Sequence, residues 1–198
     1  GVMGGTFDPI HNGHLAVAEE VRARLALAEI LFMPAGQPWL KGGRPLAPAR
    51  HRVQMVYLAI RDIPYFKLST MEIERSGPTY TVDTMAELQA ELGVGDDLFF
   101  ILGWDSLAEL PLWKDPSRLI TLCHLVAVPR PGYPKPDLVV LERRIPGLSQ
   151  RVVLMDKPEV DISASEVREY VAHGRSICHL VPEPVARYIR EHKLYIKQ

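Results

Sequence analysis

Short apolar runs alternate with stretches of helical periodicity along the whole of this chain. Residues 98–102 (LFFIL) are almost wholly apolar, the pattern of a strand buried on both faces. Comparable runs are 30–33, stopped by Pro34; 65–68; 125–128, closed by Pro129-Arg130-Pro131-Gly132; and 152–155, while residues 1–3 read as the end of a first strand. Between them, Leu15, Val17, Ala18, Val21 and Leu25 recur at helical spacing behind Asn12, a residue type that caps helices. Helices are also expected over 49–60, 81–92, 162–172 and 184–192. Such alternation implies a parallel sheet wrapped by helices: an α/β chain with a Rossmann-like doubly wound parallel sheet. Residues 1–198 are expected to form a single domain, with a small helical C-terminal portion at about 162–198. Residues 70–73 are expected to extend the 65–68 strand, and 138–144 fits either a helix or a strand.

Composition narrows the function classes. The 198 residues are 47% hydrophobic and 24% charged, an ordinary globular balance with room for a real core. A formal net charge of −1 argues against a broad nucleic-acid or anionic-membrane surface, though not against a local basic site. Neither Cys123 nor Cys178 has a CxxC partner, so both are expected as buried thiols in a reducing cytoplasm, not as a disulfide or zinc site. The apolar runs are too short to span a membrane, and no signal peptide is visible. The chain opens at Gly1-Val2-Met3 without an initiator methionine, so a few residues of the first strand are expected to precede it.

In open parallel sheets, ligands bind beyond the carboxyl ends of the strands, and the residues with chemical potential cluster after strands. Gly4, Gly5, Thr6 and Phe7 lead into His11-Asn12-Gly13-His14. Glycines allow close backbone approach to a ligand, and a helix start offers free N–H groups and a partial positive end to an anion. His11 and His14 are placed to face that anion; the competing reading is a tight turn and a capped helix with incidental histidines. The stretch lacks the Gly-Lys-Ser/Thr of a P-loop and the spacing of GxGxxG. In Ile162-Ser163-Ala164-Ser165-Glu166-Val167-Arg168, two hydroxyls and a guanidinium one turn on make a phosphate cradle, or simply a helix cap. Lys41 lies in a loop rich in proline and glycine, either solvated or on a flap over an anion. Trp113 offers a stacking surface or core packing, and Asp105, after the 98–102 strand, offers a ribose acceptor or a cap.

These residues resemble the nucleotidyltransferases with an HxGH signature, and more closely the bacterial nicotinate-nucleotide adenylyltransferases. The likeness spans nearly the whole chain in order: GGTFDPIHNGHL, MPAGQPWLK, PLAPARHRVQMVYLAI, PTYTVDT, FILGWDSLAELPLWKD, VAVPRPG, ISASEVRE and HLVPEPVARYI. The resemblance implies adenylyl transfer from ATP to nicotinate mononucleotide, giving deamido-NAD and pyrophosphate, with Mg²⁺ bound with ATP and no covalent enzyme intermediate. It implies that His11, His14 and Arg168 are catalytic, the histidines on the α-phosphate and its in-line transition state and Arg168 on the β- and γ-phosphates and the departing pyrophosphate. It further implies that Gly4, Gly5, Thr6, Phe7, Lys41, Ile162, Ser163 and Ser165 hold phosphates, that Gly103, Asp105 and Arg130 lie on the adenosine side, and that Tyr80, Thr81 and Trp113 form the acceptor pocket. The partners so implied are two small molecules, with no nucleic acid and no membrane, in a cytoplasmic protein that can be a homo-oligomer. Two positions depart from the family pattern: Leu40 stands where a histidine commonly precedes Lys41, and Lys114 follows Trp113 where an aromatic is common. Lys114 thereby becomes a candidate cation for the substrate carboxylate. The alternatives are transfer of an adenylyl or cytidylyl group to another phosphate such as phosphopantetheine, and a nucleotide-binding regulatory module without catalysis.

Overall fold

Alternate residues of each strand enter different cores. Phe100 and Leu102 join Val2, Met33, Leu125 and Ala127 on one face, whereas Ile101 joins Met3, Ile30, Phe32, Val126 and Val128 on the other. This period of two buries both faces of the sheet and explains the continuous apolar runs. The computed structural model describes residues 1–37, 46–93 and 95–196. Its strands are β1 (Val2–Gly5), β2 (Ile30–Pro34), β3 (Phe66–Leu68), β4 (Phe99–Gly103), β5 (His124–Val128) and β6 (Val152–Leu154). They form one parallel sheet in the order β3-β2-β1-β4-β5-β6. The order reverses between β1 and β4, and a crevice opens at that switch point beyond the strand ends. The expected α/β doubly wound sheet is therefore present.

One helical layer contains α1 (Asn12–Arg24), α2 (Ala49–Ile60), α8 (Ala164–Ala172) and α9 (Glu183–Glu191). Ala18, Val21, Met55, Val56, Val167, Val185 and Ile189 carry these four helices into one core. The helices near the C-terminus thus pack with those near the N-terminus. The opposite layer holds α4 (Thr81–Glu91), α5 (Trp104–Ala108), α6 (Pro116–Leu122) and α7 (Leu138–Arg144), through Val82, Met85, Leu107, Leu119 and Leu141. No described helix is long and apolar enough to cross a membrane.

Four local expectations are corrected or decided. Residues 70–73 do not extend β3: the ladder closes with Ser69 N donating to Phe32 O at 2.9 Å, and a short helix α3 (Met71–Glu74) follows. β2 ends at Pro34, which has no N–H to offer a longer neighbour. Residues 138–144 are helical because Asp137 Oδ1 accepts from Val139 N at 2.9 Å and Val140 N at 3.2 Å. Asn12 is not the cap of α1 but its first helical residue; His11 is extended at the cap, and Asn12 N donates instead to Leu180 O at 2.8 Å. Cys123 is buried as expected, but Cys178 is exposed, because it lies in the turn ahead of α9.

Candidate active site

A cleft of about 940 Å³ opens at the switch point. Gly4, Gly5, Thr6, Phe7, His11 and His14 line one wall of it, and Ile162, Ser163, Ser165 and Arg168 line another. Asp8 and Arg168, 160 positions apart in sequence, thus meet at the β1 end of the sheet. Phe7 is fully buried at a positive φ of 46°, which turns the chain sharply after β1. Its ring meets that of His14 edge-on at 5.0 Å. His11 and His14 stack at 3.7 Å, and His11 N donates to His14 Nδ1 at 3.2 Å. That bond fixes the neutral tautomer of His14: with Nδ1 accepting, the proton sits on Nε2. Gly13 is dictated by this packing. A Cβ there would lie 3.0 Å from His11 Nδ1 and 3.1 Å from Val160 Cγ1.

Burial, with the Arg130 guanidinium nearby, lowers the His11 pKa from 6.5 to about 4. Folding holds this pKa below its unfolded value, so the associated stability is complete above pH 6.5 and is lost as pH falls toward 4. A histidine-selective NMR titration of the ligand-free protein is expected to show no protonation of His11 between pH ~8 and ~5.5. A midpoint near 6.5 would mean that the ring is solvated.

On the second wall Ser163 caps α8, its Oγ accepting from Glu166 N at 3.1 Å. Ser165 Oγ accepts from Arg168 Nη2 at 2.8 Å, and Arg168 Nη1 donates to the Asp8 carbonyl at 2.7 Å. Ser163 thus serves as the cap of the helix, while Ser165 bonds the guanidinium. Beyond β4, Gly103, Asp105 and Arg130 line the cleft, and Arg130 Nη1 donates to Asp105 Oδ2. Asp105 sits in the first turn of α5, which Gly103 caps. A Cβ on Gly103 would collide with the Asp105 carboxylate. Asp105 Oδ1 is buried without a partner among the described residues, as is Trp113 Nε1.

Thr81 and Trp113 line the cleft; Tyr80 is not among the lining residues. Trp113 serves core and cleft together, its ring edge-on to Phe100 at 6.1 Å. Lys114 does not enter the cleft, since its ammonium bonds Asp83 Oδ2 at 2.8 Å and lies 4.5 Å from the Tyr80 ring centre. Lys41 and Leu40 lie outside the described residues.

The family model described as cytidylyltransferase-like matches residues 2–170. A probable nicotinate-nucleotide adenylyltransferase of Dehalococcoides mccartyi is 54% identical over all of this chain and 97% of that relative. The chain belongs to the nicotinate-nucleotide adenylyltransferase family. A probable nicotinate-nucleotide adenylyltransferase of Roseiflexus is 46% identical over 98% of this chain and 96% of its own. The nicotinic acid mononucleotide adenylyltransferase of Plasmodium falciparum, solved in complex with NaAD, shares the fold, with a TM-score of 0.78 at 23% identity over 98% of this chain and 95% of that one.

In this member of the adenylyltransferase family, a buried polar network that sequence reading missed backs the first wall. Asp8 is 1% exposed and Arg52 is 2% exposed. Arg52 Nη1 donates to Thr6 O at 2.8 Å and its Nε to Ala47 O at 3.1 Å. Asp8 Oδ1 accepts from Tyr195 OH at 2.7 Å and from Ala47 N at 3.3 Å. On α4, fully buried Thr84 donates to Glu72 Oε1 and accepts from Arg75 Nη1, both at 2.9 Å. Charged residues inside otherwise amphipathic stretches were the available signal, but only the tertiary contacts reveal their partners.

Proposed function

We propose that this chain transfers the adenylyl group of ATP to nicotinate mononucleotide, forming nicotinate adenine dinucleotide and pyrophosphate in NAD biosynthesis. The observation that carries the reading is the meeting of the His11–His14 pair with Ser163, Ser165 and Arg168 across one cleft. A phosphate oxygen of the mononucleotide attacks the α-phosphorus of ATP. The new P–O bond forms as the bond from α-phosphorus to the bridging oxygen breaks, and the electron pair leaves with pyrophosphate.

The nucleophile is already an anion, so general-base help is a minor need. Alignment of two polyanions and stabilisation of charge are the main ones. His14 Nε2–H donates to the α-phosphoryl oxygens, with His11 stacked behind it as a neutral ring. Backbone N–H groups of the loop after β1 hold phosphate oxygens. Ser163, Ser165 and Arg168 take the departing pyrophosphate. Asp105 Oδ1 accepts from a ribose hydroxyl, while Trp113 stacks on the pyridine ring beside the start of α4. Among the described residues no group of three or more His, Cys, Asp or Glu is arranged to hold a metal, and Mg²⁺ is assigned to the substrate, on the hard oxygens of the triphosphate.

Incubation with Mg-ATP and nicotinate mononucleotide is expected to release pyrophosphate and dinucleotide together. Faster release with nicotinamide mononucleotide or phosphopantetheine would reassign the acceptor, and ATP binding without turnover on any of them would favour a regulatory module. The Lys114–Asp83 pair adds a second expectation. Lys114→Ala leaves the rate ratio of acid to amide acceptor within ~2-fold of wild type, as for an exposed ion pair whose lysine does not line the cleft. A collapse of that ratio would make Lys114 a carboxylate ligand.

A further inference from the structure

We propose that the segment following α9 is a strap on the loop after β1, and that Tyr195 is a positioning residue for the adenylyl transfer. The inference rests on the reading above for the reaction, but not on the identity of the acceptor. Lys193 and Tyr195 have φ of 50° and 64°, the left-handed region that side chains with a Cβ disfavour. Such conformations persist where surrounding structure fixes them. Here Leu194 N donates to Ile189 O at 3.0 Å, and the half-buried Leu194 and Tyr195 pack on the core shared by α1, α2, α8 and α9.

The reversal brings the Tyr195 hydroxyl to Asp8, 187 positions away in sequence, at 2.7 Å from Oδ1. A hydroxyl donating to a carboxylate at this distance is a strong, directional bond. Asp8 is almost fully buried, and its two polar ends face different elements. Its carboxylate receives Tyr195 and Ala47 N, while its carbonyl receives the Arg168 guanidinium. Arg52 completes the arrangement: burial lowers its pKa, while Asp8 and Tyr195 both act to raise it. Tyr195 is not among the residues lining the cleft, so its effect passes through Asp8. The hydroxyl fixes the carboxylate, the carboxylate fixes the loop, and the loop carbonyl fixes Arg168 relative to the histidines.

Tyr195→Phe removes the hydroxyl and keeps the ring. Well below the melting temperature, the variant is expected to lose ~10-fold in kcat, with KM for Mg-ATP and nicotinate mononucleotide within ~2-fold, as for a misaligned site that still binds. Amide hydrogen exchange over residues 6–11 is expected to accelerate in the same variant. An unchanged kcat, whatever happens to the melting temperature, reduces Tyr195 to a structural residue and overturns the proposal. So does unchanged exchange over 6–11. A wild-type protein without turnover would defeat the functional reading separately. In that case faster exchange over residues 6–11 in Tyr195→Phe, with binding of a non-hydrolysable ATP analogue within ~2-fold of wild type, would still support the strap, and unchanged exchange would overturn it.

Discussion

Replacing His14 by alanine is expected to lower kcat by ~10²-fold or more, the loss typical of one transition-state donor, while the Kd for ATP changes by less than ~10-fold. The expectation follows from how the ring is held. His11 N donates to Nδ1, Phe7 and His14 meet edge-on, and His11 stacks on the ring's face, so the ring is held in the tautomer that carries its proton on Nε2. A donor fixed in this way needs no reorganisation as charge builds on the equatorial oxygens. His14→Gln places an amide N–H near the position of Nε2 and is expected to recover part of the loss. Single-turnover rates and calorimetric ATP binding check the pair. If affinity and rate fell by the same factor, His14 would be a binding residue and not a transition-state donor.

The second large effect is on stability. Arg52→Met is expected to destabilise the fold by about 3–5 kcal/mol, the range for removing one member of a buried charged network. For a chain of this size that corresponds to a fall of ~10 °C in Tm. The substitution nearly preserves volume, so packing changes little. What is lost is the donor to two part-buried carbonyls, Thr6 O and Ala47 O, and the cation that faces Asp8. Arg52→Lys keeps the charge but not the fork and is expected to fall between the two. Thermal unfolding without nucleotide measures both variants. A shift below ~3 °C for Arg52→Met would mean that water replaces the guanidinium, and that the loop after β1 is not held from behind.

The elements that were legible in the sequence owe this to local physics. The 98–102 run and its counterparts are apolar at every position because both sheet faces are covered, and 49–60 shows its face through a period of 3.6. The HxGH stretch was legible because glycine, histidine and a helix start have few reasons to occur together. Residues 70–73 were misread because the end of a ladder depends on its neighbour: Pro34, in another strand, decides where β3 stops. Cys178 was misplaced for the same reason, since apolar neighbours in sequence do not reveal a turn that faces water.

By itself the sequence determined the layer architecture, the strand-end location of the candidate site residues, and the residue types at the cleft, all of which follow from periodicity and short-range sterics. Only the tertiary structure decided which charged residues are buried and what they hold. Arg52, Asp8 and Tyr195 are each unremarkable in their own segments, yet they join across the molecule behind the loop after β1. The physical reason is that a buried charge is tolerated only beside its partners, and those partners come from α2, the loop after β1 and the chain beyond α9, elements whose proximity is fixed by the packing of the whole domain.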